Sequence, residues 1–323
     1  MMMSRDTMQE AEKGRAPFTL AHLSDVHLGP LPAIGRHWNV KRLLGWINWQ
    51  RRRRHVYSRD VLARITDDLA AQAPDHIAVT GDLANLGLPS EHDAALAWLA
   101  TLGDGQGVTV IPGNHDIYSS IGRDMGTARW QPYMSANTAA ADYAIAEALA
   151  EEAAFPFVRR FGPLAIIAVN SAVPTLPLYA NGRVGPDQLR RLAMILDRLA
   201  TEGIMRVVLI HHPPVPGLSK KRHDLDDAAE LADVLARHGA ELVLHGHEHI
   251  SSTHWHPAMG GPIPVIGVPS GSLALPYKRE PLARYHLYRI EPGANRPRIE
   301  LIARGLAEPG GPIVEIERRL IEA

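Results

Sequence analysis

The sequence predicts an α/β fold with a largely parallel core. Short apolar runs alternate with longer helical patterns along the chain. Most of these runs are continuous rather than alternating in polarity, the pattern of strands covered on both faces. At 323 residues and 46% hydrophobic content, the chain can bury the large core such a fold needs.

In chain order the strand candidates are "FTLAHLS" (18–24), "HIAVTG" (76–81), "VTVIPG" (108–113) and "LAIIAVN" (164–170). They continue with "RVVLIH" (206–211), "LVLHG" (242–246), "PVIGVPS" (264–270) and "RYHLYRI" (284–290). Helical patterns fall near 58–72, 90–102, 187–201 and 226–238. The third opens "GPDQLRRL", with proline and aspartate in its first turn. This order implies a parallel core with antiparallel additions late in the chain. With no fixed-period repeat and no low-complexity linker, one domain is expected over 17–323. Two segments read as insertions, 30–57 after the first strand and 117–160 after the third. Residues 1–16, "MMMSRDTMQEAEKGRA", are polar and mixed in charge and read as a mobile tail, without the apolar core of a signal peptide.

A net charge of −1 and a pI near 7.0 give no overall electrostatic case for nucleic acid, so no duplex partner is expected. The chain has no cysteine, which excludes disulfides and thiolate metal sites and fits a reducing compartment. No apolar stretch approaches the roughly 18 residues of a membrane span, so a cytoplasmic protein is the expectation.

Ligand-type side chains recur at the carboxyl ends of the strands, where open α/β sheets place their sites. "SDVHLG" supplies Asp25 and His27, "TGDLANLG" supplies Asp82, and "IPGNHDIY" supplies Asn114, His115 and Asp116. "LIHHPPV" supplies His211 and His212, and "LHGHEH" supplies His245, His247 and His249. In Asp25-x-His27 and His247-x-His249 the pairs are two residues apart, so in extended backbone both side chains can reach one ion. The set is all nitrogen and oxygen, which suits manganese, iron or zinc. There are too many ligands for one ion with open positions, and two ions sharing a carboxylate use them better.

The series DxH, GD, GNHD, H and GHxH resembles the calcineurin-like metallophosphoesterase superfamily over about residues 18 to 290. Within it, "LIHHPPVP" and "LVLHGHEH" look most like the class III cyclic-nucleotide phosphodiesterase branch. The resemblance implies a four-layer α-β-β-α sandwich, two mixed sheets flanked by helices, with two metal ions on the strand-end loops. It implies Asp25, His27 and His249 at the first metal, Asp82 bridging, and Asn114, His211 and His247 at the second. His115 would assist the leaving oxygen while a bridging hydroxide attacks phosphorus, and Asp116 could orient or charge that imidazole. His245 has no ligand role in the family and is expected to pack at the strand end or to stand behind the ligands. Gly81, Gly113 and Gly246 would permit the sharp turns that aim the ligands inward.

Substrate selection points to the least usual stretch, "RHWNVKRLLGWINWQRRRRHVY" (36–57), with seven arginines or lysines from Arg36 to Arg54 and no acid among them. Apolar residues at helical spacing make it a basic amphipathic helix for an anionic membrane or lipid, a nucleotide wall, or a helix packed on the domain. Gly45 weakens the helix expectation. Candidate substrate contacts are Arg42 and Trp46 here, with His212, Lys220 and Arg222 near the "HHPP" turn. The 117–160 insertion carries Arg123, Arg129, Trp130 and Tyr133, then an alanine-rich helix near 137–152, and could be a lid or a dimer contact. The leading expectation is a dinuclear phosphodiesterase acting on cyclic nucleotides or small diesters. The alternatives are a membrane-associated hydrolase of a nucleotide-diphosphate lipid or phospholipid, a phosphomonoesterase, and a non-catalytic metal-stabilised adaptor.

Overall fold

The computed structural model describes residues 17–118, 126–143, 155–291, 293 and 296–322. Continuous apolar runs form the interior strands of two six-stranded sheets. In the first, β1 (Phe18–Leu23), β2 (His76–Val79) and β3 (Val108–Val110) pair in parallel. On the other side of β1 follow β10 (Arg284–Glu291), β11 (Arg298–Leu306) and β12 (Ile313–Ile321), all antiparallel. In the second, β5 (Leu164–Ala168), β6 (Met205–Leu209), β7 (Leu242–His245) and β9 (Ile263–Gly267) are parallel. Its antiparallel edges are β4 (Phe157–Phe161) and β8 (Ser252–His256).

The two sheets pack face to face. Leu20, Val79 and Leu287 of the first meet Ile166, Leu209 and Leu244 of the second in one buried core. Helices α2 (Arg59–Gln72) and α3 (Pro89–Leu102) add Ile65, Leu69 and Leu99 to that core. Helices α4 (Pro186–Thr201) and α5 (Ala228–His238) close the second sheet's other face. In α4 the buried residues Leu189, Leu192, Leu196 and Leu199 fall at helical spacing, while Arg190 points outward. Leu196→Ala would leave a cavity costing about 2–5 kcal/mol. The four layers match the sandwich that the sequence motifs imply.

All eight expected strands form, several ending earlier because the backbone turns at the ligand residues. Strands β4, β8, β11 and β12 carry no continuous apolar run; "IVEIERRLI" of β12, for example, is nearly half charged and buries only its last residue. The 36–57 segment does contain a helix, α1 (Val40–Arg51), whose N-cap Asn39 accepts a bond from the Arg42 amide. Gly45 has a packing role there, because a Cβ would strike the Tyr118 hydroxyl and Leu86. In the second insertion Trp130 and Tyr133 are buried in the core, and the Trp130 indole donates to the His92 carbonyl. Arg129 pairs with Asp93. Thr138–Tyr143 is a short 3-10 helix, and Arg123 and residues 144–152 of the expected alanine-rich helix lie outside the described residues.

Candidate metal centre

The strand ends bring the sequence-predicted ligands to one place. Backbone conformation aims them: Asp25, His27, Asp82, His247 and His249 all have positive φ, between 41° and 72°. They are five of the eight non-glycine residues in that region among the described residues. Such conformations cost free energy and persist where the surroundings enforce them, as at functional sites. Gly81, with φ 95°, makes the turn before Asp82. Gly113 and Gly246 serve a different need: a Cβ on Gly113 would strike Asp82, and one on Gly246 would strike Ser24 and Asp25. These two glycines allow close approach rather than left-handed turns.

Two clusters result, with Asp82 between them. Ligand atoms of Asp25, His27, Asp82 and His249 lie within 4.8 Å of one another. His27 Nε2 stands 3.3 Å from His249 Nε2, and His249 Nε2 stands 3.1 Å from Asp25 Oδ1. In the second cluster, Asn114 Oδ1 lies 3.2 Å from His211 Nε2 and 2.9 Å from His247 Nδ1. Asp82 turns Oδ2 toward His27, at 3.9 Å, and Oδ1 toward His211, at 3.6 Å.

Each of these four rings is anchored through its other nitrogen. His27 Nδ1 meets the Ala84 carbonyl, His211 Nδ1 the Thr80 carbonyl at 2.6 Å, and His247 Nε2 the His223 carbonyl at 2.9 Å. His249 Nδ1 lies 2.9 Å from Glu280 Oε2, and Tyr57 also donates to that carboxylate. An imidazole with one nitrogen fixed on a protein acceptor and the other turned inward is the arrangement of a metal ligand. Asp25 Oδ1 is buried with the His249 ring nitrogen at 3.1 Å, which leaves acceptor capacity that a bound cation would fill. The donor set therefore fits two divalent ions, one per cluster.

Charge is divided unequally between the carboxylates. Burial and the neighbouring Asp25 charge raise Asp82 to about 8. Burial would also raise Asp25, but the His249 charge and hydrogen bond outweigh it and hold Asp25 below the usual carboxylate range.

Beside the clusters stands His115. Its Nδ1 faces the Asn85 carbonyl at 2.5 Å, its amide donates to Asp82 Oδ1, and Arg53 donates to its Nε2 at 3.3 Å. Burial, then the Arg53 charge, push this ring well below the ordinary histidine value, so it is neutral. The expectation for Asp116 is corrected: its carboxylate accepts the amides of Asp82, Ala84 and Gly113, each at 2.8 Å, and it braces the turn instead of the imidazole.

Three of the expected substrate contacts have partners within the protein. Arg42 is buried and donates to the carbonyls of Leu86, Gly87 and His37. Trp46 packs against the cluster of Leu86, Leu88 and Tyr118. His212 borders the second cluster, yet its nitrogens are taken by Ser171 Oγ and the Ala180 carbonyl. Lys220 and Arg222 are exposed on the loop that supplies the His223 carbonyl. His245 is buried, with Nδ1 on the Gly246 carbonyl. Sequence reasoning missed Arg53, Tyr57 and Glu280. Arg53 sat unresolved in a run of four arginines, and the other two belong to no motif.

Residues 18–251 match the sequence pattern described as calcineurin-like phosphoesterase. The chain belongs to this family. It is 26% identical over 251 residues to the cAMP/cGMP dual specificity phosphodiesterase of Mycobacterium tuberculosis, covering 76% of this chain and 66% of that one. It is 28% identical over 257 residues to a Rhodococcus erythropolis protein named "Probable cyclic nucleotide phosphodiesterase", covering 76% and 70%. A Synechococcus protein with the same style of name is 28% identical over 58% of this chain and 62% of its own. The chain thus spans about two thirds of the length of these relatives. Among solved structures, a dimetal phosphatase from Danio rerio superposes with a TM-score of 0.58 at 13% identity, covering 94% of this chain and 99% of that one. A purple acid phosphatase from yellow lupin gives 0.52 at 13%, over 92% and 52%. These two likenesses concern the fold.

Proposed function

We propose that the protein is a metal-dependent phosphodiesterase of small diesters, with cyclic nucleotides as the first substrates to try. The observation that carries this is Asp82, one oxygen toward each histidine cluster, with the unligated imidazole of His115 alongside. Asp25, His27 and His249 would hold one ion, Asn114, His211 and His247 the other, and Asp82 both. Bound there, the ions would oppose the charge of the phosphoryl oxygens and make water acidic enough to serve as nucleophile. The ring of His115 lies edge-on to the ligand ring of His27, centroids 4.9 Å apart.

The chain's own groups divide the remaining work. In the free protein His115 holds its proton on Nδ1 against Asn85 and its Nε2 accepts from Arg53. To serve the leaving oxygen, Nε2 would first take the proton given up by the attacking water and then pass it on, a transfer worth about 10²–10⁴-fold. Arg53 presents a fixed positive charge at the same point and would bind a phosphoryl oxygen or the departing alkoxide. Asp116 and Glu280 act by holding Asp82 and His249 in place. The cyclic-nucleotide names of the similar proteins support the diester over the monoester. A second reading, an ester presented at a lipid surface, is favoured by the apolar outward side of α1. No helix among the described residues is long and apolar enough to cross a membrane.

The test is a paired assay of metal-loaded protein on bis- and mono-nitrophenyl phosphate and on cAMP and cGMP. Turnover of the diesters above the monoester is expected, and lost on chelation. Monoester turnover alone, or no turnover of any ester by protein carrying both ions, would overturn the proposal.

A further inference from the structure

Helix α1 is built inside out. Its inward side carries Lys41 and Arg42, both buried, whereas Val40, Leu43 and Leu44 are 61%, 44% and 42% exposed. Positions 40, 43 and 44 form one stripe of a helix, so the exposed aliphatics share a face. The buried cations fix the rotation. Lys41 Nζ donates to Thr175 Oγ1 at 2.6 Å and lies over the Tyr118 ring, while Arg42 grips three carbonyls. Turning the aliphatic face inward would break all of these contacts.

The bond from Lys41 also sets the 175–179 loop alongside the helix. There Leu176 and Leu178 are 73% and 72% exposed, and just before the helix Trp38 is 68% exposed. Leu178 has a φ of 71°, a region that leucine seldom occupies, so the loop is bent in a way that leaves this side chain in water. These six side chains are six of the eleven large exposed hydrophobics among the described residues. Such clustering marks an interaction surface.

Charge decides the partner. Arg36, Arg51, Arg52 and Arg54 are exposed beside the apolar face, and the sequence has no acid from Arg36 to Arg54. A tryptophan and leucines flanked by arginines match the interfacial layer of an anionic bilayer. A second copy docked on the same face would set these arginines against their own kind. Arg53, directly after the helix, reaches His115, so the C-terminal end of the helix that carries this face meets the metal centre. We propose that the outward side of α1, with the 175–179 loop, docks on an anionic lipid surface and admits phosphoesters presented there. The docking stands on these residues alone, and the admission of ester rests on the hydrolase reading.

The test is flotation of the full chain with vesicles of phosphatidylcholine alone or mixed with phosphatidylglycerol. Comigration with the mixed vesicles only is expected, weakened by salt. Trp38→Ser, Leu43→Ser and Leu44→Ser together should reduce it at least about tenfold. Arg51→Gln and Arg52→Gln should each weaken it about fivefold. Should the triple variant unfold by circular dichroism, Leu176→Asp alone, on the neighbouring loop, carries the same expectation. Turnover of bis-nitrophenyl phosphate should be unchanged in these variants, and His115→Ala should float as the parent does. Absence of comigration, or equal flotation of the parent and a folded surface variant, would overturn the docking. So would a dimer that sediments with concentration, dissolves in the triple variant and binds no vesicle. Intact flotation without turnover of any ester would instead sink the hydrolase reading alone.

Discussion

At the strand ends and under helix α1 the protein buries charge, with opposite bookkeeping. Asp25 Oδ1 is buried against the His249 ring nitrogen at 3.1 Å, and His27 and His249 turn nitrogens toward each other at 3.3 Å. The backbone there is held at positive φ in five places to keep those atoms converging. Arg42, by contrast, delivers its guanidinium to three carbonyls in a helix of ordinary geometry. At the strand ends ligand atoms converge within 4.8 Å of one another and leave room for an ion, whereas the guanidinium is matched by carbonyls and belongs to the architecture. The kind of partner separates His211, whose Nε2 meets Asn114 Oδ1 inside the cluster, from its neighbour His212, whose nitrogens meet Ser171 Oγ and the Ala180 carbonyl.

The comparison breaks most severely at Asp82. Asp82→Ala removes the carboxylate that turns one oxygen to each cluster, and should lower bound metal toward a single ion. Its loss of turnover should exceed that of any other single substitution here, as elemental analysis beside the diester assay would reveal. His115→Ala should follow, with turnover down about 10²–10⁴-fold and metal content close to the parent's. Unequal metal loss at these two positions is the discriminating result. If His115→Ala also emptied the site, its place outside the ligand set would be wrong.

Glu280→Ala sharpens the distinction between holding an ion and holding its ligand. Glu280 touches His249 Nδ1 rather than the cluster's interior. Its removal should weaken metal affinity by about 10–100-fold, as outer partners of ligating histidines do, while saturating metal restores turnover. Titration by calorimetry would give both numbers. The same titration should depend on pH. Asp82, raised to about 8 by burial and the Asp25 charge, is protonated below that pH in the metal-free protein. His249 is held protonated too, since Tyr57 and Asp25 overcome its burial. A cation must expel these protons, so affinity should fall as pH drops below about 8, with proton release measurable in buffers of different ionisation heat. A pH-independent affinity would mean that the metal-free site already carries the charge.

The sequence made one side of this contrast legible and concealed the other. Ligands at Asp25, His27, Asp82 and His249 could be read because they recur just beyond apolar runs, although the extended backbone expected for the spaced pairs is left-handed instead. Asp116 was misread because adjacency suggested contact with His115, whereas the turn at 113–116 rolls its carboxylate onto three amides. In α1 the expectation that arginine and lysine face water and leucine faces inward fails at four successive positions, 41 to 44. Only tertiary partners, the carbonyls at 86 and 87 and the hydroxyl of Thr175, reverse it. Glu280 had no signal, since its role depends on meeting Tyr57 and His249 across the fold.

Arg42→Ala gives the smallest expected effect on chemistry and the cleanest test of the architectural half. Three carbonyls would lose their donor, those of Leu86 and Gly87 through fully buried bonds. Leaving buried acceptors unsatisfied costs about 1–3 kcal/mol apiece, and local relaxation with entering water should hold the total to roughly 3 kcal/mol. Chemical denaturation should therefore register a lower midpoint with an unchanged slope. Turnover per folded molecule should stay within about threefold of the parent, less than two-thirds of a kcal/mol in activation free energy. Were Arg42 a substrate contact, the pattern would invert, with KM rising steeply and stability nearly untouched. The position of the loss, in the folding midpoint or in KM, thus decides whether this buried cation supports the loop behind His115 or reaches what the site binds.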